Sequence, residues 1–393
     1  MARSGSLISN VGSLYVIFSA HYPPHLGGIE TFTYNLSHSL VKRGDPVLVV
    51  TNDTNCVGAG ITDDGGVTVL RFPCCPLVDG RFPLQKYNSK TRELKKWLGE
   101  QKVDGVLINA RFYPHSLMGM RFAHSKGLRP IVLDHGSAWL SFSNPILDPI
   151  VRFYERAITA YGKRYGAAYY GISAKSAEWL QTFGIKAAGV IPNSIDADEY
   201  VACSSGRQFR RELGLDDSAL VVAFVGRLIP EKGIRQIIKA SQSVELVERN
   251  VVFVLAGSGP LEGEARTAQG PNLHYVGRLT RQDTSALLQS ADLLCLPTRS
   301  EGYSTTLLEA ASCGCPAVVT DVGGARDLIP NEAYGTIVES MSSECIIKAL
   351  KSLADDRDRI KKQSAMSSAF VREHCSWAIE AALVEKCFEP LVC

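Results

Sequence analysis

The sequence predicts an α/β protein built from two similar, doubly wound domains with parallel sheets. Short β-branched runs alternate with amphipathic helical stretches along the whole chain, which is the pattern of parallel sheets covered by helices. At 393 residues the chain is too long for one ordinary core, so two domains are expected. Each half begins with a strand, a glycine-bearing loop and a helix, in YVIFSAHYPPHLGGIETF and in VAFVGRLIPEKGIRQI.

The first half contains seven predicted strands, most of them short, apolar and β-branched. They are Leu14–Ala20, Pro46–Thr51, Val67–Phe72, Asp104–Asn109, Pro130–Asp134, Ala168–Ser173 and Gly189–Pro192. Helices are predicted between most of them, including Gly28–Arg43, Thr91–Glu100 and Ser173–Phe183. Asp63-Asp64 followed by Gly65-Gly66 predicts a hairpin turn.

The second half repeats the same alternation. Its predicted strands are Leu220–Gly226, Val251–Gly257, Leu273–Gly277, Leu293–Leu296, Ala317–Thr320 and Gly335–Val338. The polar stretch Asn193–Gly206 is the predicted hinge, and Trp377–Leu391 reads as an amphipathic helix. We therefore expect an N-terminal domain over 1–195, a C-terminal domain over 196–375 and a terminal helix in 376–393.

Composition excludes several classes of protein and site. The net charge of +2 gives no strong field that would attract nucleic acid. Eleven cysteines are scattered without a CxxC motif, which indicates reduced thiols and neither a disulfide framework nor a zinc site. No run reaches the roughly 18 apolar residues of a membrane span, so a soluble or peripheral protein is expected. The N-terminus mimics a weak signal peptide, although a first β-strand behind a short tail is the preferred interpretation.

The most informative motif places two carboxylates, Glu301 and Glu309, with seven residues between them. If Ser304 caps the following helix, the amides of Thr305 and Thr306 lack intrahelical partners. Such a helix start is a ready site for phosphate. Acids beside it can hold ligand hydroxyls. A ligand that is anionic at one end and rich in hydroxyls at the other is a nucleotide-sugar.

Basic residues and glycines follow the first strand of each half. Arg227 can pair bidentately with phosphate oxygens and Lys232 adds a point charge, so together they could neutralise a leaving diphosphate. The alternative is a solvated pair at a helix start, where cations oppose the dipole. Gly28 would allow a ligand to approach the backbone, although a glycine pair can also be just a turn. Neither glycine loop has the GxGxxG pattern, which counts against a dehydrogenase.

His135 lies just after an apolar strand, where a neutral imidazole could hydrogen-bond a sugar hydroxyl or the attacking group. The alternative is a loop histidine with a backbone partner. The remaining histidines have no metal-ligand spacing and are interpreted as structural; among them are His21, His25, His115 and His274. We therefore expect neither a metal site nor a cofactor.

The segment Trp139–Phe153 is apolar, interrupted by proline and nearly uncharged. It could form an acceptor lid, or it could enter a lipid interface with Trp139 and Phe142. A buried connection between a loop and a helix is an equally good interpretation. The sequence does not choose among these three.

Together these motifs resemble the retaining glycosyltransferases of family 4, over essentially the whole chain. The shared markers are GGIE, DHGS, GISAKS, VIPNSID, VGRLIPEKG and the Glu-x7-Glu element. The resemblance implies the GT-B architecture, in which two facing Rossmann-like domains enclose an interdomain cleft. It also implies that the N-terminal domain binds the acceptor and the C-terminal domain the nucleotide-sugar, with the terminal helix crossing back to the N-terminal domain.

The resemblance implies a role for each candidate residue. Glu309 would bind the ribose, and Glu301 would bind a hydroxyl of the donor sugar. Arg227 and Lys232 would bind the diphosphate, together with the amides of Ser304, Thr305 and Gly28. His135 would contact the sugar near its 6-hydroxyl, and Gly277-Arg278-Leu279 would bind the base. Of these, His135, Arg227, Lys232 and Glu301 would be catalytic. Tyr303-Ser304 stands where Phe-Gly is commoner, so Tyr303 could change which sugar hydroxyls are contacted.

The expected function is a metal-independent, retaining hexosyltransferase that uses a UDP- or GDP-sugar and a hydroxyl acceptor. Polysaccharide or glycolipid assembly in the cytoplasm, at the inner face of the cell membrane, is the setting that family habit suggests. No carboxylate stands out as a nucleophile, so attack from the front face, assisted by the departing phosphate, is expected. The alternatives are a sugar-nucleotide epimerase of the same architecture, a non-catalytic nucleotide-sugar-binding protein and, lacking its fingerprint, a nicotinamide-dependent oxidoreductase. The base, sugar, acceptor and linkage are left open.

Overall fold

A computed structural model describes residues 13–25, 27–77, 80–140 and 144–389. The chain divides into two compact units, one formed by Met1–Pro192 with Trp377–Cys393 and the other by Asn193–Ser376. The predicted N-terminal tail, Phe142 of the apolar segment and Leu391 of the terminal helix lie outside the described residues. Both units are α/β, as the alternation of strand and helix patterns predicts.

The first unit is built on an eight-stranded sheet with a separate hairpin. Its strands are β1 Tyr15–Phe18, β2 Val47–Asn52, β3 Gly60–Asp64, β4 Val67–Phe72, β5 Cys74–Leu77, β6 Phe82–Gln85, β7 Gly105–Asn109, β8 Ile131–Asp134, β9 Ala168–Gly171 and β10 Gly189–Val190. The sheet order is β10-β9-β8-β7-β1-β2-β4-β3, and β5 pairs with β6. All neighbours in the large sheet are parallel except β3 and β4.

Helices cover this sheet. They are α1 Gly28–Arg43, α2 Ser89–Glu100, α3 Pro114–Ser125, α4 Leu147–Gly162 and α5 Ala174–Trp179, with 3₁₀ turns at Lys163–Tyr165 and Leu180–Phe183. The sheet strands that carry the core read as continuous apolar runs because both faces are covered. Val16, Phe18, Val50 and Ile108, for example, are fully buried.

The second unit is built on a six-stranded sheet in which every neighbouring pair is parallel. Its strands are β11 Leu220–Val225, β12 Val251–Ala256, β13 Leu273–Tyr275, β14 Leu293–Leu296, β15 Ala317–Thr320 and β16 Thr336–Val338. The helices are α6 Ala197–Ala202, α7 Phe209–Glu212, α8 Ile234–Ser241, α9 Val244–Val247, α10 Glu262–Thr267, α11 Arg281–Ser290, α12 Thr305–Ser312, α13 Ala325–Leu328, α14 Ser343–Asp355 and α15 Arg357–His374, with a 3₁₀ turn at Pro230–Lys232.

The last helix, α16 Trp377–Phe388, returns to the first unit and packs on α1. The Ser39 hydroxyl donates to the carbonyl of Trp377 over 2.9 Å, and Arg43 pairs with Glu385. The Phe388 ring stacks on Tyr15 with centroids 4.7 Å apart. The first unit is therefore closed by a helix from the far end of the chain.

Every predicted strand is present within a few residues, and the predicted turn at Asp63–Gly66 joins β3 to β4. The prediction omitted three strands, β3 and the β5–β6 hairpin. β3 (GITDD) is polar, and β5 and β6 each contain a proline, so they lack the apolar alternation that marks a strand. The predicted hinge is not an extended linker, because it contains α6, and its Tyr200 is 1% exposed.

The strand orders locate the site in each unit. The second sheet runs β13-β12-β11-β14-β15-β16, so the order reverses direction between β11 and β14. In the first sheet the corresponding reversal lies between β1 and β7. Ligands of doubly wound sheets bind outside the carboxyl ends of the strands at such a switch point. Ligand-binding residues are therefore expected in the loops after β1, β7, β11 and β14.

Candidate functional site

A cavity of 440 Å³ lies at the carboxyl ends of β11 and β12 in the second unit. It is lined by Val225, Gly226, Arg227, Ala256, Gly257, Ser258, Arg278, Leu279 and Thr284. The structure thus brings Arg227 together with Arg278 and Leu279, which are 51 and 52 residues further along the chain. Gly277, the other residue predicted beside the base, accepts a hydrogen bond from the Gly257 amide over 2.8 Å. A cavity with two guanidinium groups suits a polyanionic ligand.

Glycines create the floor of this cavity by allowing two loops to touch. The Gly226 amide donates to the Ala256 carbonyl over 3.0 Å, and the Leu228 amide donates to the Ser258 carbonyl over 2.9 Å. A Cβ at Gly257 would lie 1.8 Å from the Gly226 carbonyl oxygen, and one at Gly259 would lie 2.6 Å from that of Leu228. Both glycines also have positive φ angles, so a side chain is excluded at either position by two separate effects.

Lys232 and Glu301, which the sequence predicts at the same site, form an ion pair. Lys232 ends the 3₁₀ turn after β11, and Glu301 follows β14, so the pair spans the switch point. Both side chains are mostly buried, with exposed fractions of 14% and 22%. The Arg299 amide and the Thr298 hydroxyl donate to the Glu231 carbonyl, which fixes the two loops to each other. The lysine charge is thus compensated by an acid in the absence of a ligand.

Ser304 caps α12, as predicted. Its hydroxyl accepts a hydrogen bond from the Leu307 amide over 3.3 Å. The preceding turn rests on another glycine pair, because a Cβ at Gly323 would lie 2.6 Å from the Glu301 carbonyl oxygen and one at Gly324 would lie 2.4 Å from the Tyr303 ring. The start of α12 and the Glu301 loop are therefore held by backbone packing, with Tyr303 part of that packing.

Glu309 lies one turn further along α12. Burial raises the pKa of its carboxyl to about 7, while the positive charge of Arg281 acts in the opposite direction. Tyr200 lies in the same environment, because the Arg281 guanidinium stands 5.4 Å from the centre of its ring and burial, then the Glu309 carboxylate, raises the pKa of its phenol. Hydrogen bonds donated by a ligand would favour the charged form of this glutamate and so lower its pKa.

In the first unit, His135 follows β8 and is held by a hydrogen-bonded chain. Its Nε2 lies 2.9 Å from the Asn109 amide oxygen. An amide oxygen only accepts, so Nε2 carries the proton and Nδ1 the lone pair. Asn109 in turn donates to the Thr33 hydroxyl, which donates to the Ile29 carbonyl. Burial lowers the pKa of His135 to about 3, so the imidazole is neutral at pH 7, as the sequence analysis requires.

Asp134, the residue before His135, belongs to a buried ion cluster that the sequence did not predict. Arg111 Nε is 3.4 Å from Asp134 Oδ2, and its Nη2 is 3.1 Å from Glu155 Oε2. All three side chains are at most 2% exposed. Ala110 turns the chain inward with a left-handed φ of 63°, and the Arg111 guanidinium stands 3.8 Å from the centre of the Phe183 ring. In the sequence, only the position of Asp134 at the end of β8 could have indicated the cluster. Arg111 and Glu155 are more than 20 residues away from it.

The loop between β1 and α1 contains a second missed cluster. Gly27 precedes α1 and Gly28 begins it, so the predicted glycine loop is at the helix start. His25 Nδ1 lies 2.9 Å from Glu30 Oε1, and the His21 and His25 rings stack with centroids 4.4 Å apart. Burial, and then the neighbouring His25, lowers the pKa of His21 to about 4. Both histidines were predicted to be structural because their spacing is not that of metal ligands, and the structure places their rings side by side.

The apolar segment divides into a packed part and an exposed part. Trp139 makes edge-on contacts with Trp179 and Phe183 at 5.1 and 5.2 Å, which fits the buried-connection interpretation. The start of α4 instead exposes Ile150 and Phe153, at 60% and 75%. None of the helices in the described ranges has the length and hydropathy that a membrane crossing requires.

Comparison with known families matches each half of the chain. The family described as "Glycosyltransferase Family 4" matches residues 26–199, and "Glycosyl transferases group 1" matches residues 206–369. The first match includes the glycine loop and His135, and the second includes the strand-end cavity, Lys232 and both glutamates. The first match lies mainly on the first unit and ends seven residues inside the second, and the second match lies within the second unit.

Among relatives, a GDP-mannose-dependent monoacylated α-(1-6)-phosphatidylinositol monomannoside mannosyltransferase of Corynebacterium glutamicum is 30% identical over 93% of this chain and 94% of its own. A glycosyltransferase of Methanocaldococcus jannaschii, described as uncharacterized, is 24% identical over 96% of this chain and 98% of its own. A UDP-Gal:α-D-GlcNAc-diphosphoundecaprenol α-1,3-galactosyltransferase of Escherichia coli is 30% identical over 43% of this chain and 45% of its own.

Solved structures agree in fold. Sucrose-phosphate synthase from Thermosynechococcus elongatus has a TM-score of 0.74 at 17% identity, covering 97% of this chain and 99% of its own. The Anabaena HepE protein in complex with UDP has a TM-score of 0.71 at 17% identity, covering 97% and 100%. The fold common to these neighbours is GT-B. With its two α/β units and a full-length relative at 30% identity, the chain belongs to glycosyltransferase family 4 and is a glycosyltransferase of the GT-B fold.

Proposed function

We propose that this glycosyltransferase is a retaining, metal-independent hexosyltransferase that uses a UDP- or GDP-sugar and transfers the sugar to a hydroxyl acceptor. The second unit would bind the donor, and the first unit would bind the acceptor. The observation that carries the proposal is that Arg227, the Lys232–Glu301 pair and the capped start of α12 all follow β11 or β14, the two strands that flank the switch point of the second sheet.

In this proposal Arg227 and Lys232 would hold the diphosphate. Arg227 offers a bidentate fork in the cavity beside β11, and Lys232 offers a single charged amine. When the glycosyl bond breaks, negative charge grows on the leaving phosphate, and fixed cations stabilise that charge. The amides at the start of α12, at Ser304 and Thr305, add uncharged donors to the same anion.

The ion pair gives Glu301 a second task. An incoming diphosphate competes for Lys232, and the partner that Lys232 leaves is then available to accept hydrogen bonds from sugar hydroxyls. Glu301 would thus orient the donor sugar and not attack it. Glu309, whose pKa burial raises to about 7, would accept hydrogen bonds from the ribose hydroxyls. The cavity wall at Arg278 and Leu279 would hold the base.

The remaining steps use groups of this chain and the substrates. The attacking acceptor hydroxyl would approach the same face from which the diphosphate leaves, and the departing phosphate oxygen would take its proton. His135, a neutral imidazole with its tautomer fixed by Asn109, would contact the sugar. Arg227 and Lys232 supply the positive charge at the diphosphate, so the transfer is proposed to need no metal ion.

The relatives support this range of substrates without selecting one. A corynebacterial relative is named for GDP-mannose, an E. coli relative for UDP-Gal, and the Anabaena neighbour was solved with UDP-glucose. Two of the named acceptors are lipid-linked, which supports a glycan or glycolipid acceptor here. The exposed apolar residues at the start of α4 agree with contact between the first unit and a lipid surface.

The test is a transfer assay on the full chain with UDP- and GDP-sugars, in excess chelator, with release of nucleoside diphosphate and glycosylation of added acceptors both measured. We expect one nucleotide series to stabilise the protein in a thermal shift and to support transfer with retained anomeric configuration. The Arg227→Met variant should lose most of the activity. The control is Arg235→Met, which should keep it, because Arg235 is an exposed residue of α8 that pairs with Glu264 of α10. Loss of transfer in chelator, with a far-UV circular dichroism melt that the chelator leaves unchanged and with rescue by a divalent ion, would overturn the metal-independent mechanism. Conversion of the donor without acceptor would favour an epimerase.

A further inference from the structure

We propose that His21, His25 and Glu30 form a binding site for one divalent transition-metal ion of the zinc type. His21 and His25 belong to the loop between β1 and α1 of the first unit, and Glu30 to the first turn of α1, at the switch point of the sheet. One ligand atom from each lies within 4.8 Å of the other two. The proposal does not depend on the donor or acceptor assigned above.

The geometry is close to that of a three-ligand site. Around a tetrahedral ion with bonds of about 2.0–2.1 Å, ligand atoms lie roughly 3.4 Å apart. His25 Nδ1 and Glu30 Oε1 are 2.9 Å apart, and none of the three ligand atoms is more than 4.8 Å from another, so side-chain shifts on the order of 1–2 Å reach this spacing. Two imidazoles and one carboxylate are a ligand set that zinc uses, with the fourth position left to water or an anion.

His21 provides the observation that the His25–Glu30 ion pair alone does not explain. Its Nε2 lies 3.3 Å from the Arg81 carbonyl oxygen, and because a carbonyl only accepts, Nε2 carries the proton. The lone pair is therefore on Nδ1, which is buried and has no hydrogen-bond partner among the described residues. A histidine that donates the proton of one ring nitrogen to a carbonyl, while the other nitrogen keeps a buried lone pair beside a second histidine and a carboxylate, has the arrangement of a metal ligand.

The neighbouring glycine makes room for the carboxylate. A Cβ built on Gly27 would lie 2.3 Å from Glu30 Oε2, although the backbone of Gly27 is extended and would suit any residue. The glycine is therefore needed for space and not for conformation. It allows the first turn of α1 to direct Glu30 back toward the two histidines.

Access to the cluster is one-sided. The His21 side chain is 4% exposed, Glu30 is 7% exposed and His25 is 26% exposed. An ion can enter past His25 and, once bound, is shielded from water on the other sides. It would join the end of β1 to the first turn of α1 and would thereby stabilise the first unit.

The test uses the full chain, stripped of metal, with Zn²⁺ and Co²⁺ alone as probes. We expect one Zn²⁺ per chain in competition with a chromogenic chelator, and a rise in the midpoint of thermal unfolding followed by tryptophan fluorescence. The four tryptophans, at 97, 139, 179 and 377, all belong to the first unit. His25→Asn and Glu30→Gln should each weaken Zn²⁺ binding at least about tenfold, since even outer-shell losses cost about 10–100-fold.

Matched variants separate ligand loss from unfolding. Gly27→Ala keeps all three ligands and should weaken binding by displacing Glu30, whereas His124→Asn, an exposed histidine on α3, should bind like the wild type. Far-UV circular dichroism shows whether each variant is folded. The proposal is overturned if the wild type binds no Zn²⁺, if His25→Asn and Glu30→Gln bind it unchanged, or if the Co²⁺ spectrum shows the charge-transfer absorption of thiolate ligands, which would assign the ion to cysteines.

Discussion

At the scale of single residues, Glu309 shows how burial prepares a binding group. In the ligand-free protein its pKa is about 7, raised chiefly by burial. Hydrogen bonds from ribose hydroxyls favour the charged form and would lower this pKa. Donor binding should therefore release a proton below pH 7. The folded-state pKa is above the ordinary value, so the contribution of this group to stability is present at low pH and is lost as the pH rises toward 7.

We expect nucleotide affinity of the wild type to rise by up to about tenfold per pH unit below pH 7 and to level off above it. Glu309→Gln should lose this component of the pH dependence, and Glu309→Ala should weaken binding at pH 7.5 by about 1.5–3 kcal/mol. Titration calorimetry at several pH values measures both. Because the nucleotide phosphate titrates in the same range, the difference between wild type and Glu309→Gln is the diagnostic quantity. Equal slopes in the two proteins would remove Glu309 from the ribose site.

The Lys232–Glu301 pair predicts opposite effects on binding and on transfer. Glu301→Gln removes the acid that neutralises Lys232, so a nucleoside diphosphate without its sugar should bind a few-fold tighter. The same change removes an acceptor for sugar hydroxyls, so transfer should fall by about 10²-fold or more. Binding of UDP and GDP is measured by calorimetry, and kcat by product release. If Glu301→Gln weakened diphosphate binding, the proposed exchange of partners by Lys232 would be wrong.

The buried ion cluster that contains Asp134 makes a stability prediction. Removing Arg111 leaves Asp134 and Glu155 buried without their cation, at a cost of about 3–5 kcal/mol near neutral pH. Burial already raises the pKa of Asp134 to about 6 and raises that of Glu155, and loss of Arg111 raises both further. A folded-state pKa above its unfolded value means that stability is lost as pH rises, so Arg111→Met should be more destabilising at pH 8 than at pH 5.

Urea unfolding followed by tryptophan fluorescence measures this effect in the unit that contains the cluster. The control is Arg111→Met combined with Asp134→Asn and Glu155→Gln, which removes the titrating groups and should flatten the pH dependence. A loss of stability that is the same at pH 5 and pH 8 would mean that Arg111 acts only through packing, on Phe183 among others.

At the scale of elements, the cavity depends on contact between the loops after β11 and β12. Gly257→Ala places a methyl group 1.8 Å from the Gly226 carbonyl oxygen at a φ of 145°. We therefore expect the free energy of unfolding to fall by about 3 kcal/mol or more and nucleotide binding to be lost. Gly263→Ala is the matched control, because it lies in α10 with nothing within 4 Å and should stabilise by about 0.5–1 kcal/mol. Denaturant unfolding followed by circular dichroism compares them, and a neutral Gly257→Ala would show that the loops can separate.

The same elements show what the sequence could predict. Strands such as Val67–Phe72 and Leu293–Leu296 were predicted to the residue because burial on both faces demands a continuous apolar run. The Ser304 cap was predictable because a hydroxyl before an apolar helix has a local role. The cluster around Arg111 was not, since it joins residues after β7, at the end of β8 and on α4, and only the fold brings them together. The members of the His21 cluster are close in sequence, but the path of the chain between β1 and the first turn of α1 decides whether they meet.

At the scale of the whole molecule, the two units have separate cores and different spectroscopic labels. The core of the second unit extends from Ile195 to Cys375, and that of the first unit lies within Leu14 to Ile185. All four tryptophans belong to the first unit, so fluorescence follows that unit, whereas circular dichroism follows both. The full chain can therefore report where a ligand binds without any truncation.

We expect the correct nucleoside diphosphate to raise the unfolding temperature of the second unit. At a concentration of 100 times its Kd, it should raise the free energy of unfolding of that unit by about 2.7 kcal/mol. The physical reason is that Arg227, Lys232, Glu301 and Glu309 all belong to that unit. Thermal melts followed in parallel by circular dichroism and tryptophan fluorescence should therefore differ, with the nucleotide shifting the first signal and leaving the second nearly unchanged. Lys232→Met should abolish the shift, and Lys239→Met, an exposed lysine of α8, should preserve it. A nucleotide shift confined to fluorescence would place the donor on the first unit and reverse the proposed division of labour between the units.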